Sequence, residues 1–342
     1  MNTLLELSGV SKRYVDNPSF AAKLLGVTRT VHAVTEVSFS LERGKTLGLV
    51  GESGCGKSTL ARCIIALESA SAGEMRFDGR AIEPERRRGL RWFRSRAQMV
   101  FQDPRSALNR SLTVERILAR ALKTGDRQGG RDARRARIDE LLRAVGLGPA
   151  FLHRYSHELS GGQCQRVSIA RALAVKPEFV VLDEPVSALD VSIQAQIVNL
   201  LLELQERLGL TYLFISHDLH LVRYVSDRIA VMYFGRIVEL GPAKEVSEQP
   251  RHPYTQLLLA AVPQPDPALR DESVMVMGEV PSPFDPPSGC AFHPRCPLAD
   301  ARCSRERPEL RRVTPEIEVA CHRYEQTQDP VPALTMVSKM ED

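Results

Sequence analysis

The sequence lacks the features of a membrane-spanning, secreted or strongly nucleic-acid-binding chain. No uninterrupted apolar stretch approaches the roughly 18–20 residues that a membrane-spanning helix requires. Residues 1–6 do not show the charged-then-apolar order of a signal peptide. The 46 Lys and Arg residues barely exceed the 42 Asp and Glu residues, and a net charge of +4 is too small to indicate nucleic-acid binding without a focused basic patch. We therefore expect a cytoplasmic chain that reaches a membrane only through partners.

Length and composition indicate an ordinary globular protein with two units. The chain has 342 residues, of which 43% are hydrophobic, enough for a full core. We find no internal repeat and no heptad run. Prolines crowd residues 263–297, where regular secondary structure is therefore not expected. This shift predicts one domain over residues 1–245 and a loop-rich C-terminal module over residues 246–342.

Short apolar runs alternate with segments of helical periodicity in the first domain. Apolar runs of four or five residues are typical of buried parallel strands, and an apolar stripe at helical spacing marks an amphipathic helix. The alternation predicts an α/β fold with a mostly parallel sheet flanked by helices. The predicted strands are residues 46–50, 179–182 and 212–215, and the predicted helices are 58–67 and 193–208, with a further helical segment at about 104–158.

Residues 51–58, GESGCGKS, fit the pattern G-x-x-x-x-G-K-[ST] between a predicted strand and a predicted helix. Glycines let the backbone N–H groups of this phosphate loop point at an anion, and the helix adds its positive dipole end. Lys57 would reach the β- and γ-phosphates, Ser58 would bind Mg²⁺ and Thr59 would contact the α-phosphate. The alternative is a glycine turn without a ligand. The predicted nucleotide contacts are Gly51, Ser53, Gly54, Cys55, Gly56, Lys57, Ser58 and Thr59.

One cysteine stands inside the phosphate loop. Cys55 is two residues from Lys57 and precedes a predicted helix N-terminus, and both features favour a thiolate. We therefore expect a lowered pKa for the Cys55 thiol, and we expect alkylation of this thiol to block nucleotide binding.

Two acidic residues follow the predicted strand at residues 179–182. Asp183 and Glu184 would stand at the carboxyl edge of a parallel sheet, where ligands of open α/β sheets bind. Asp183 suits the coordination shell of Mg²⁺, and Glu184 is placed to polarise a water for attack on the γ-phosphate. Alone, the pair would more often be an acidic turn at a strand end. Next to a phosphate loop, the catalytic interpretation is favoured.

Residues 159–163, LSGGQ, open a predicted helix that runs to about residue 174. A serine followed by two glycines at a helix start presents unpaired backbone N–H groups to an anion. The chain thus carries two phosphate-binding surfaces, the phosphate loop and this helix start.

Together these motifs resemble those of the ATP-binding-cassette (ABC) ATPases, over residues 4–240. Gln102 in FQDP resembles the Q-loop, Asp190 in SALD the D-loop and His217 in ISHD the switch histidine of that family. The resemblance implies a P-loop NTPase core with an antiparallel β subdomain and a helical subdomain at about 104–158. It also implies that Gln102 and His217 act in catalysis with Glu184, and that Gln102 helps to hold Mg²⁺.

The same resemblance implies that ATP is enclosed between two cassettes. The LSGGQ residues of one subunit would then act on the nucleotide held by its partner, with Asp190 bridging the interface. These residues are Ser160, Gly161, Gly162 and Gln163. Adenine stacking is assigned to Tyr14, with His32 as the alternative.

The C-terminal module is similar to the extension of dipeptide and oligopeptide importer ATPases, through its RHPYT and GCAFHPRCP segments. The match is closest to the second of the two ATPases in such a transporter and implies an ATPase that energises peptide uptake at the cytoplasmic face of the inner membrane. Its partners would be a paralogous ATPase in a heterodimer, two membrane permeases contacted by residues 104–158, and an extracytoplasmic peptide-binding protein. Nickel and glutathione importers share the extension and stay open as alternatives. A soluble cassette ATPase acting on ribosomes or DNA is disfavoured by the single phosphate loop, and no nucleic-acid partner is expected.

Four cysteines crowd the C-terminal module with the spacing Cys-x5-Cys-x6-Cys-x17-Cys, namely Cys290, Cys296, Cys303 and Cys321. In a reducing compartment such a group indicates metal or cluster ligation rather than disulfides. Four thiolates can hold a [4Fe–4S] cluster or a tetrahedral zinc ion, and the Cys-x2-Cys pairs of zinc ribbons are missing. The resemblance implies [4Fe–4S], because the similar importer ATPases carry an iron–sulfur cluster here. Zinc and a module without metal stay open.

Overall fold

The computed structural model of the chain describes residues 2–15, 30–83, 87–125, 130–260 and 281–324. These residues form two β-sheets with helices packed against them. The strands are β1 Thr3–Val15, β2 Thr30–Glu42, β3 Thr46–Val50, β4 Ala72–Phe77, β5 Arg80–Ala81, β6 Ala97–Val100, β7 Phe179–Asp183, β8 Thr211–Ser216, β9 Arg228–Tyr233, β10 Arg236–Pro242, β11 Arg311–Arg312 and β12 Glu318–Val319. The α-helices are α1 Lys57–Ile64, α2 Arg91–Arg96, α3 Pro104–Ala107, α4 Val114–Gly125, α5 Arg131–Ala144, α6 Gly161–Leu173, α7 Val191–Leu208, α8 Leu219–Val225, α9 Ala243–Glu248 and α10 Pro253–Ala260.

The larger sheet has the strand order β11-β12-β10-β9-β3-β8-β7-β6. Neighbouring strands from β6 to β9 are parallel, whereas β10, β12 and β11 are added in antiparallel pairings. Every residue of β3, β7 and β8 is buried. Burial on both faces explains why these strands are continuous apolar runs in the sequence. The predicted α/β fold with a mostly parallel sheet is confirmed.

The smaller sheet is antiparallel and has the order β2-β1-β4-β5. Its alternating strands bury residues such as Leu5 and Leu7 against the core. The N–H of Thr35 donates to the carbonyl oxygen of Gly235 at 2.8 Å, which joins β2 to the turn between β9 and β10. This contact brings residues 31–33 of β2 alongside the end of the phosphate loop.

Helices α3, α4 and α5 fall within the segment predicted to be helical. The apolar stripe of α5 is buried, with Ile138 at 2% and Leu141 at 2% exposure, and α4 and α5 both pack against α6. A backbone bridge between Thr113 and Tyr155 closes the two ends of the segment on each other. Among the described residues, no helix combines the length and apolar character needed to cross a membrane.

The described part of the C-terminal module has little regular structure after α10. The prolines from Pro281 onward predicted this lack of helices and strands. Residues 261–280, which hold the first part of the proline-rich stretch, lie outside the described residues. The module nevertheless joins the main body. β12 pairs with β10, where Val319 stands opposite Glu239, and the ring of Phe292 is buried in the core. A strand of two residues carries no periodic pattern, so this pairing could not be predicted.

Candidate active site

The phosphate loop connects β3 to α1, as its position between a strand and a helix predicted. Gly54 and Gly56 have positive φ angles of 81° and 108°, which favour glycine. A Cβ on Gly56 would lie 2.1 Å from the carbonyl oxygen of Ala33, and one on Gly51 would lie 2.1 Å from that of Met232. The loop is therefore wrapped against two neighbouring strands too closely for any larger residue.

Lys57 is the first residue of α1 and is only 4% exposed. Its Nζ donates to the carbonyl oxygens of Gly51 at 2.7 Å and Glu52 at 2.9 Å. These two carbonyl oxygens carry partial negative charge that would repel an anion, and the ammonium group offsets this charge. Lys57 thus stabilises the loop and concentrates positive charge where phosphates would bind.

A cavity of about 250 Å³ lies over the phosphate loop. Residues 31–33 of β2 form one wall, and Gln102 and Glu184 form another. The predicted nucleotide contacts that line it are Ser53, Gly54, Cys55, Gly56, Lys57, Ser58, Thr59 and Gln102. Gly51 and Asp183 do not line the cavity; Gly51 contacts Lys57, and Asp183 contacts Ser58.

Of the three residues predicted to hold Mg²⁺, Ser58 and Asp183 are in contact with each other, whereas Gln102 contacts Glu184. The Ser58 hydroxyl donates to Asp183 Oδ1 at 3.0 Å. Asp183 ends β7 and is buried, and this burial raises its pKa, while the hydrogen bond from Ser58 opposes the rise. A hydroxyl and a carboxylate are the hard oxygen ligands that Mg²⁺ prefers, so this pair fits the ion.

Gln102, Glu184 and His217 converge on one carboxylate oxygen. Gln102 Nε2 donates to Glu184 Oε2 at 2.9 Å, and His217 Nδ1 lies 3.5 Å from the same oxygen. Glu184 has a left-handed backbone with φ of 45°, held by its N–H, which donates to the carbonyl oxygen of Ile215 at 3.0 Å. Such a conformation costs about 1–3 kcal/mol and is found at functional sites. The structure therefore brings together all three residues that were predicted to act in catalysis.

Tyr14 does not line the cavity, whereas its alternative His32 does. The Tyr14 hydroxyl donates to the Glu68 carboxylate, and Lys12 Nζ lies 5.0 Å from the centre of its ring. Burial and the hydrogen bond raise the pKa of Tyr14 to about 12. The Tyr14 side chain is thus engaged by its own neighbours, and the assignment of adenine stacking to Tyr14 or His32 stays a prediction.

The LSGGQ segment lies outside this cavity. Ser160 caps α6: its Oγ accepts from the Gln163 N–H at 3.3 Å, and Gln163 Oε1 accepts from the Ser160 N–H at 3.0 Å. A Cβ on Gly162 would lie 2.7 Å from Ile193 Cγ2, so glycine lets the start of α6 pack on α7. Asp190 precedes α7, and its side chain is exposed. The structure places this segment beside the residues that flank Asp190, and neither the segment nor Asp190 lines the cavity over the phosphate loop.

The expected pKa of Cys55 was wrong. Burial is the largest influence and raises the pKa of this thiol, and the nearby Lys57 ammonium only partly offsets it. Cys55 is 8% exposed, so the cost of desolvating a thiolate outweighs the attraction of one cation. Cys55 is therefore a buried thiol in the wall of the cavity and not an activated thiolate.

The four cysteines of the C-terminal module are free thiols in one neighbourhood. The Cys290 N–H donates to the carbonyl oxygen of Cys303 at 2.8 Å. Burial raises the pKa of Cys296 to about 12 and that of Cys321 to about 11, and charges on the other cysteines contribute to both shifts. Within the described ranges, no group of three or more His, Cys, Asp or Glu side chains is arranged to hold a metal ion. The [4Fe–4S] cluster is not confirmed and stays a prediction.

Sequence reasoning missed two contacts that reach the phosphate loop from the C-terminal module. Arg295 forms an ion pair with Glu52, and the Tyr254 hydroxyl accepts a hydrogen bond from the Glu52 N–H. The partners are 243 and 202 residues apart. No local pattern links residues at such separations, so only the folded structure identifies these contacts.

Comparison with known proteins gives consistent matches along the chain. A family model described as "ABC transporter" matches residues 34–187, and one for the oligopeptide/dipeptide transporter C-terminal region matches residues 238–303. The oligopeptide transport ATP-binding protein AppF of Bacillus subtilis is 48% identical over 325 residues, covering 94% of this chain and 98% of that protein.

Two solved structures share the fold. CbiO1 from Clostridium perfringens, part of the ABC transporter complex CbiONQ, aligns with a TM-score of 0.62 and 28% identity over 73% of this chain and 93% of that one. The ATP-binding cassette MJ0796, in a dimeric post-hydrolysis state with ADP and Pi, aligns with a TM-score of 0.61 and 27% identity over 70% of this chain and 99% of that one.

Proposed function

This chain belongs to the ATP-binding proteins of ABC oligopeptide transporters, and on that premise we propose that it hydrolyses ATP to drive the import of peptides. The observation that carries the proposal is the meeting of Lys57, Ser58 and Glu184 at one cavity. The 48% identity to AppF over nearly the whole chain supports a peptide as cargo. It favours that cargo over nickel or glutathione, and a transporter over an ATPase that acts on ribosomes or DNA.

The phosphate loop binds the triphosphate of ATP. Its backbone N–H groups and the Lys57 ammonium would hold the β- and γ-phosphates, and Thr59 would contact the α-phosphate. His32 lies against the adenine ring at the cavity wall formed by β2. Ser58 and Asp183, together with Gln102, would hold Mg²⁺, which would neutralise charge on the phosphates.

Glu184 is the general base of hydrolysis. Its carboxylate accepts a proton from water as the water oxygen attacks the γ-phosphorus and the bond to ADP breaks. The hydrogen bond from Gln102 to Oε2, at 2.9 Å, supports the proposal because it orients this carboxylate. We propose that His217, whose Nδ1 lies 3.5 Å from the same oxygen, donates to the γ-phosphate and stabilises its developing charge.

A second cassette completes each nucleotide site. Ser160 and the N–H groups of Gly161 and Gly162 act on the ATP held by the partner subunit, because none of them lines the chain's own cavity. Exposed Asp190 bridges the interface. The dimeric state of MJ0796 supports two cassettes in one assembly. We propose a paralogous ATPase as the partner, so that the functional unit is a heterodimer.

The assembly works at a membrane. We propose that two permeases sit above the ATPase pair, that the helical segment at residues 104–158 contacts them, and that an extracytoplasmic peptide-binding protein delivers the cargo. The ATPase would then be a peripheral protein at the cytoplasmic face of the inner membrane. The transport function in the names of its relatives supports this arrangement.

The C-terminal cysteines form the second part of the proposal. Four thiolates are the usual ligand set of a [4Fe–4S] cluster, and a crosslink of this kind would stabilise a module poor in secondary structure. We propose that these four side chains bind such a cluster. Iron and sulfide analysis and the visible absorbance of the purified chain test this directly. A colourless, zinc-loaded protein would contradict it, and Cys303→Ser should remove the absorbance.

Glu184→Gln tests the catalytic assignment. The amide keeps an oxygen that can accept from Gln102 but cannot take a proton from water. We expect the affinity for Mg·ATP in calorimetric titration to stay within about twofold, while phosphate release falls at least about 100-fold. The matched control is Glu248→Gln, which alters an exposed carboxylate paired with Arg223 and should leave turnover unchanged. Normal turnover of Glu184→Gln would remove Glu184 from its role.

A further inference from the structure

Glu52, in the phosphate loop, is held through three of its groups. Its N–H donates to the Tyr254 hydroxyl at 2.9 Å, and its carbonyl oxygen accepts from Lys57 Nζ at 2.9 Å. Its two carboxylate oxygens accept from the two terminal nitrogens of Arg295 at 2.8 and 2.9 Å. Two of the three partners belong to the C-terminal module, so the shape of the loop depends on residues far away in the sequence.

Arg295 makes the stronger of these distant contacts. Its side chain is 5% exposed, and its guanidinium lies 5.9 Å from the centre of the Tyr233 ring. A bidentate arginine–carboxylate pair fixes both distance and orientation, and here the Glu52 side chain keeps 29% of its surface exposed. The pair also neutralises a carboxylate that would otherwise repel a triphosphate bound to the same loop.

Buried residues of β9 and β10 hold Tyr254 in place. Glu239, which is fully buried in β10, accepts hydrogen bonds from the N–H groups of Arg251 at 2.8 Å and His252 at 3.0 Å, just before α10 begins. The Tyr254 ring then packs on Tyr233, with centroids 4.5 Å apart. The position of the Tyr254 hydroxyl under the Glu52 N–H is therefore set by the core and not by a mobile surface group.

We propose that Arg295 and Tyr254 are positioning residues of the nucleotide site, which act through Glu52 to hold the phosphate loop ready for a triphosphate. Neither residue lines the cavity. The inference rests on the proposed assignment of the phosphate loop as the ATP site. It makes the C-terminal module a part of the nucleotide-binding machinery. Loss of the contact between Arg295 and Glu52 would change the loop that binds the phosphates.

Equilibrium binding of Mg·ATP and steady-state ATPase kinetics of the full chain test the proposal. We expect Arg295→Gln to weaken Mg·ATP binding about tenfold, the size expected for one lost charge-assisted contact. Arg295→Lys keeps the charge but not the bidentate geometry, so its affinity for Mg·ATP should lie between those of the wild type and Arg295→Gln. Tyr254→Phe, which removes only the hydroxyl, should weaken binding about threefold. In each variant KM for ATP should rise while kcat changes less than about twofold, since the hydrolytic residues are untouched.

Two further variants separate positioning from general loosening of the module. Because Arg295 acts through Glu52, Glu52→Gln combined with Arg295→Gln should bind Mg·ATP no more weakly than Arg295→Gln alone. The matched control is Arg323→Gln, which removes an exposed arginine that donates to the Leu298 carbonyl oxygen at 3.1 Å within the module; it should bind Mg·ATP like the wild type. Additive losses in the double variant, or an equal loss in Arg323→Gln, would overturn the proposal.

Lys57→Ala distinguishes this inference from the assignment on which it rests. We expect Lys57→Ala to abolish detectable Mg·ATP binding. Wild-type binding by Lys57→Ala would overturn the assignment of the site, and the inference with it. Loss of binding in Lys57→Ala together with wild-type binding in Arg295→Gln and Tyr254→Phe would overturn the inference alone.

Discussion

Truncation of Phe292 to alanine should destabilise the whole cassette and not only the C-terminal module. The ring is 1% exposed and packs edge-on against Tyr233, with centroids 5.2 Å apart and planes at 85°, and against Tyr254 at 5.5 Å. Tyr233 ends β9, beside β3, so the space left by the ring would lie against the larger sheet. Loss of a buried phenyl ring in such surroundings lowers the free energy of unfolding by about 3–5 kcal/mol.

Urea unfolding followed by far-ultraviolet circular dichroism measures this loss. Phe284→Ala is the matched control, because Phe284 lies in the same module but is 52% exposed. We expect the control to change the free energy of unfolding by less than about 0.5 kcal/mol. A loss below about 1 kcal/mol for Phe292→Ala, or equal losses for the two variants, would refute the view that the module shares the main core.

Two other predictions concern the loop and the buried acid. Gly56→Ala places a methyl group 2.1 Å from the Ala33 carbonyl oxygen and forces a φ of 108° on alanine. The affinity for Mg·ATP should therefore fall at least about tenfold in calorimetric titration. An unchanged affinity would contradict the loop geometry. Burial raises the pKa of Glu239 from 4.5 to about 7. The protonated acid is thus favoured in the folded chain, so the contribution of Glu239 to the free energy of unfolding should be largest below about pH 4.5 and should be lost as the pH rises to about 7. Glu239→Gln should remove this part of the pH dependence in urea titrations, and a variant with the wild-type slope would show that another group is responsible.

The phosphate site could be predicted because its chemistry is local in the sequence. A buried parallel strand must be apolar, the turn after it must be glycine-rich, and Lys57 and Ser58 follow at fixed spacing. Gln102, Glu184 and His217 come from three separate loops, and only the resemblance to a family grouped them. The structure adds that they share one carboxylate oxygen of Glu184.

The missed features depend on contacts that no local pattern encodes. Tyr14 stands opposite Val31 only after several irregularities in the pairing of β1 with β2, and such irregularities leave no pattern in the sequence. The pKa of Cys55 depends on burial beneath the loop, and a charge count along the sequence does not measure burial. Arg295 lies between Cys290 and Cys303 in the sequence, and only the fold brings it to Glu52 of the phosphate loop.

The pairing of β12 with β10 has a consequence for how the protein behaves at high concentration. Five of the seven residues of β10 are buried, and an unpaired strand of this kind would offer its backbone to any other chain that exposes one. The outermost strand, β11, is only two residues long, and both are exposed arginines. Short length and like charge make a poor template for further strand addition. The C-terminal module therefore ends this edge of the larger sheet in a strand to which another chain has little backbone to add.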